Sequence, residues 1–64
     1  MIKRRYLTHD FEGEFCYTIF ENGDYDYSFE WKDNAGISHE RDSFQSEEEA
    51  REAARYDIHH HKAV

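Results

Sequence analysis

From Asp24 to Lys32 the chain alternates apolar and polar positions without a break. Tyr25, Tyr27, Phe29 and Trp31 share one parity, and Asp26, Ser28, Glu30 and Lys32 share the other. Successive strand residues point to opposite sides of a sheet, so this period of two predicts a strand with one buried face. The neighbouring stretches Ile2–Thr8, Glu14–Phe20 and Ile37–Phe44 are also read as strands, with aromatic and β-branched residues densest in Glu14–Phe20. Each is bounded by turn chemistry, namely Asp10-Phe11-Glu12-Gly13, Glu21-Asn22-Gly23 and Asp33-Asn34-Ala35-Gly36. Four short strands joined by tight turns predict an antiparallel meander.

After Phe44 the period changes. Ser46 followed three residues later by Glu49 is a capping box, and Glu47, Glu48 and Glu49 place carboxylates in the first turn of a helix. Ala50, Ala53, Ala54 and Ile58 then recur on one helical face, small enough to approach a sheet already filled with rings. Glu47 and Arg51 form an i,i+4 pair, and His59, His60, His61 and Lys62 suit the negative end of the helix dipole. The expected fold is α+β: one domain over residues 1–64 in the order ββββα. A three- to four-stranded antiparallel sheet packs on one C-terminal helix.

The second strand carries two fairly apolar faces, Phe15/Tyr17/Ile19 and Cys16/Thr18/Phe20, so the hairpin must choose between them. A two-residue Asn22-Gly23 turn would pair Phe20 with Tyr25 and send Cys16 and Thr18 inward. A three-residue loop with Gly23 left-handed would pair Phe20 with Asp24 instead. That puts Phe15, Tyr17 and Ile19 on the same face as Tyr25, Tyr27, Phe29 and Trp31. Register follows burial where one face is buried, and the second arrangement buries more apolar area. It is the one expected.

Composition sharpens the picture of the opposite face. The chain has 64 residues and a net charge of −7, and residues 10–30 contain seven carboxylates without a lysine or arginine. Eleven of the 64 residues are Phe, Tyr or Trp, enough to build a core despite a mean hydropathy of −1.14. The charge argues against membrane surfaces and against direct binding to nucleic acid backbones, and favours basic partners. One cysteine, Cys16, excludes an internal disulfide. No run approaches the roughly 20 apolar residues of a membrane span, and no signal-peptide apolar stretch is present, so a cytoplasmic protein is expected.

The stretch Phe44–Ala54, FQSEEEAREAA, follows a Gly-turned aromatic hairpin. It resembles the last-strand-to-helix junction of small acidic bacterial and phage sheet-plus-helix accessory proteins. It is also similar to the antitoxin half of some toxin–antitoxin pairs. In size and acidity the chain resembles phage inhibitors of bacterial defence, including anti-CRISPR and anti-restriction proteins. The resemblance implies a small protein that acts by engaging another protein.

Strand alternation then nominates a surface. Glu14, Asp24, Asp26 and Glu30 are expected on the outward sheet face around Phe20, Thr18 and Cys16, with Glu47 and Glu48 extending the acidic patch. Carboxylates spaced along strands can imitate a phosphate track, and a ring among them can anchor a basic groove. The expected partner is thus a basic protein surface, such as that of a nucleic-acid-binding machine, with no cofactor. A solvated face that blunts aggregation is the plainer alternative, with self-association through Phe20 or an open strand edge as a homodimer. Lys3 or Arg5 could neutralise part of the patch.

Other chemistry is weaker. Three adjacent histidines point about 100° apart on a helix and cannot converge on one ion. Asp57 and His61 share a helical face and form a weak candidate metal pair, which His9 or His39 would have to complete from elsewhere. Cys16 lies in the most acidic region, unfavourable for a thiolate nucleophile. No enzymatic activity is expected.

Overall fold

The computed structural model describes residues 4–62. Its strands are β1 (Arg5–Glu12), β2 (Phe15–Gly23), β3 (Asp26–Lys32) and β4 (Ser38–Phe44), followed by helix α1 (Glu47–Lys62). The strands form one antiparallel sheet in the order β1-β2-β3-β4, with α1 against one face. The radius of gyration is 11.4 Å.

The core is the one the alternation demands. Phe15, Tyr17 and Ile19 from β2 meet Phe29 and Trp31 from β3, and Ala50, Ala54 and Ile58 of α1 close over them. Phe15 and Trp31 pack edge to face at 5.2 Å, and Phe29 stacks on Phe44 at 5.8 Å. The opposite parity of β2 is turned away from the helix, and Cys16 is exposed there. Helix entry also follows the sequence. The N–H of Glu49 donates to Ser46 Oγ at 3.1 Å, and the Glu49 carboxylate accepts at 3.4 Å from the N–H of Gln45 rather than that of Ser46. Arg51 pairs with Glu47 at 3.0 Å, and Arg55 ties the helix to Glu12 of β1 at 3.5 Å.

Several strand boundaries differ from expectation. β1 runs to Glu12, through the stretch expected to turn, and the reversal falls on Gly13-Glu14, where Gly13 adopts φ 64°. Glycine is the residue that adopts this conformation without steric cost, so the turn settles there. The start expected at Ile2 lies outside the described residues. The second hairpin is longer than expected. Phe20 pairs with Ser28 rather than Asp24 or Tyr25, a bulge falls at Asn22, and Asp24-Tyr25 forms the tip. Tyr25 therefore leaves the core face and is 81% exposed at φ 55°. The expected and observed pairings differ by an even number of residues, which preserves facing while moving the turn. β4 begins at Ser38, one residue after the expected Ile37.

Candidate functional site

The sheet face away from α1 divides into two halves. Over β1 and β2 it is aromatic. Tyr6 stands opposite Phe20, His9 opposite Thr18 and Phe11 opposite Cys16. The Tyr6 and Phe20 rings lie 6.5 Å apart, and Tyr6 and Phe11 are 54% and 61% exposed. Over β3 and β4 the face is acidic: Glu30 stands directly opposite Glu40, and Asp26 and Asp42 line the same open depression as Glu40. Like charges set directly opposite each other are destabilising, so this pairing costs the sheet some stability.

One cation bridges the halves. Arg4, just before β1, lies over the Phe20 ring at 3.9 Å, donates to Glu40 at 3.0 Å and reaches Ser28 Oγ at 3.5 Å. Asn22 donates to the same Ser28 oxygen at 3.1 Å. Arg4 thus neutralises part of the patch, Arg41 lines the same depression, and Lys32 shares the parity of Glu30 at the end of β3. Arg5 has the other parity and pairs with Glu21 at 2.7 Å, while Lys3 lies outside the described residues.

The residues nominated from sequence are placed unevenly. Phe20, Asp26 and Glu30 share the helix-free face, and Asp24 sits at the tip of the β2–β3 hairpin. Glu14 occupies the β1–β2 turn and accepts from Asn34 at 3.5 Å, beside the β3–β4 turn. Glu47 and Glu48 border the solvent side of α1 with Arg51, Glu52 and Arg55, so the helix carries them on the other side of the sheet. Helix-borne carboxylates therefore do not extend the sheet patch. Tyr6, Phe11 and Glu40 belong to the face although sequence reasoning passed over them, and Arg4 pairs there where Lys3 or Arg5 was expected to. Their signal was pairing with β2 and β3, which local alternation does not reveal.

Compared with known protein families, curated proteins and solved structures, the chain matches none.

A second cluster lies at the other end of the helix. Asp33 follows β3, and its Oδ1 accepts the N–H groups of Ala35 and Ile37 at 2.9 and 3.0 Å. Backbone bonds from Gly36 N–H to Asp33 C=O and from Asp33 N–H to Ile37 C=O, both 3.0 Å, close the turn. Gly36 holds φ 83°, again a conformation that favours glycine. The free oxygen, Asp33 Oδ2, lies 2.9 Å from His39 Nε2 and 3.8 Å from His61 Nε2. The Asp33 side chain is only 6% exposed, while His39 and His61 are 30% and 43% exposed. The His39 hydrogen bond, followed by the Ile37 and Ala35 amides, holds the Asp33 carboxyl below the usual carboxylate range.

Trp31 forms the wall of this cluster. Its ring stacks on His39 at 4.4 Å and 15°, and meets His61 edge-on at 5.2 Å. Asp57, which the sequence paired with His61, instead accepts the Trp31 indole N–H at 2.9 Å. His39 is the residue that joins His61 from another element. No helix among the described residues is long and apolar enough to cross a membrane.

Proposed function

We propose that this chain is a non-enzymatic protein-binding module that presents its helix-free sheet face to a basic partner. The observation that carries this reading is the juxtaposition of exposed Tyr6 and Phe11, around half-buried Phe20, with Asp26, Glu30, Glu40 and Asp42. Rings supply the desolvated anchors of an interface, and carboxylates supply steering and register. Carboxylates ranked along β3 and β4 suit lysine and arginine side chains that otherwise grip phosphates, so the partner class is a nucleic-acid-binding protein whose groove is blocked. A single exposed thiol, Cys16, suits a reducing compartment such as the cytoplasm.

The test is capture of the partner by the intact chain, followed by affinity measurements at low and high salt. Glu30→Lys with Glu40→Lys should weaken binding at least tenfold and flatten its salt dependence. Glu47→Lys with Glu48→Lys on the helix should leave affinity within about twofold. Equal effects from the two pairs would sink the reading.

A homodimer through the same face is the second reading, favoured by the exposed Phe11 on edge strand β1. Light scattering separates them. A dimer that persists in high salt and is broken by Phe11→Ser supports self-association.

A further inference from the structure

We propose that Asp33, His39 and His61 form a binding site for a divalent transition metal, with Zn²⁺ as the expected ion. The three donors come from three separate places in the fold: the β3–β4 turn, β4 and the last turns of α1. Their ligating atoms all lie within 4.8 Å of one another. Two imidazoles and one carboxylate form the borderline nitrogen and oxygen set that zinc accepts, with a fourth position left for water.

The distances fit with small movements. Metal–ligand bonds of about 2.0–2.1 Å in a tetrahedron place neighbouring donor atoms about 3.3 Å apart. The observed separations from Asp33 Oδ2, 2.9 Å to His39 and 3.8 Å to His61, fall on either side of that value. Seating an ion therefore needs His39 to withdraw by a few tenths of an ångström and His61 to advance by about as much. His61, near the helix end and 43% exposed, has room to do so. Ligation through His39 Nε2 requires the tautomer with its proton on Nδ1, so the hydrogen bond to Asp33 gives way as the metal enters and both groups ligate through lone pairs.

The surroundings resemble a prepared site rather than a chance meeting of side chains. Two backbone amides hold Asp33 Oδ1, which fixes the carboxylate and presents Oδ2 to the histidines. Trp31 restrains the His39 ring by stacking and covers one side of the cluster. On the open side, Glu14, Asn34 and His61 line a shallow depression that admits water or brings the Glu14 carboxylate near the ion. The consequence of binding is a clasp. It would fasten the end of α1 to the sheet in a domain whose small core leaves little stability in reserve.

The experiment titrates Zn²⁺ alone into the full chain at pH 7.5 by calorimetry, with thermal melts at each zinc concentration. One equivalent should bind, and the melting temperature should climb with free zinc. His61→Gln, at an exposed position, and Asp33→Asn, which keeps the Oδ1 acceptor, should each weaken binding at least tenfold while the apo protein stays folded by circular dichroism. His59→Asn with His60→Asn should leave affinity unchanged. Co²⁺ in place of zinc should give the intense visible absorption of a tetrahedral site. Absence of saturable binding overturns the proposal, as does binding that survives His61→Gln but is lost with His59 and His60.

Discussion

The indole N–H of Trp31 donates to the Asp57 carboxylate at 2.9 Å, joining the end of β3 to the C-terminal half of α1. Both partners are largely shielded from water, so the bond sits where an unmet donor is costly. Removing the acceptor should cost about 1–3 kcal/mol. Asp57→Ala is therefore expected to lower the urea midpoint clearly, and Asp57→Asn, which keeps an oxygen acceptor, to lower it less. Trp31 is the sole tryptophan, so its fluorescence reports the transition directly. Equal losses from the two variants would show that the bond is not what holds the helix there.

Tyr17 presents the reverse situation. Its ring is fully buried, and its hydroxyl has no hydrogen-bond partner among the described residues. Folding strips water from that hydroxyl without replacing it. Tyr17→Phe should leave stability unchanged or raise it by up to about 1 kcal/mol. A loss beyond that in chemical denaturation would mean that the hydroxyl is bonded in solution.

Tyr27 gives the sheet an alkaline limit. Burial pushes its phenol above the ordinary value of 10.0, and the charge and hydrogen bond of Glu21, 3.3 Å away, add to the shift. The unfolded chain loses this proton first as pH rises. Stability associated with Tyr27 is thus complete below about pH 10 and declines through the raised pKa. Tyr27→Phe should flatten that decline in melts between pH 9 and 11. An unchanged slope would remove Tyr27 as its source.

Ala50 and Ala54 are fully buried where α1 crosses the aromatic layer. A larger side chain has no space there without moving the helix. Ala54→Leu should destabilise by about 1–3 kcal/mol through overpacking, and Ile58→Ala by about 2–5 kcal/mol through a cavity. Thermal melts of the two variants test whether the interface is as tight as the geometry requires. A neutral Ala54→Leu would show that it is not.

The sequence made facing legible but not register. Phe15, Tyr17 and Ile19 are inward because parity is a local property of β2, and burial selects between two parities. Sliding a strand by an even number of residues leaves that selection untouched. The turn could therefore move from Glu21-Asn22-Gly23 to Asp24-Tyr25 without a signal in the alternation. The acidic face was partly visible for the same reason: Asp26 and Glu30 follow from parity in β3. Glu40 and the reach of Arg4 depend on which strands become neighbours. The Asp33–His39–His61 cluster lay further out of reach. Asp33 and His39 flank one turn, but the arrival of His61 depends on the length of α1 and the angle at which it crosses the sheet.

The order of elements also bears on how the chain acquires its shape. Every strand pairs with its sequence neighbour, so the meander can assemble hairpin by hairpin with short loop closures. The rings of Phe15, Tyr17, Phe29 and Trp31 nonetheless stay uncovered until α1, which follows all four strands along the chain, settles over them. During that interval the nascent sheet is a sticky, half-finished surface, open to chaperones or to a neighbouring copy.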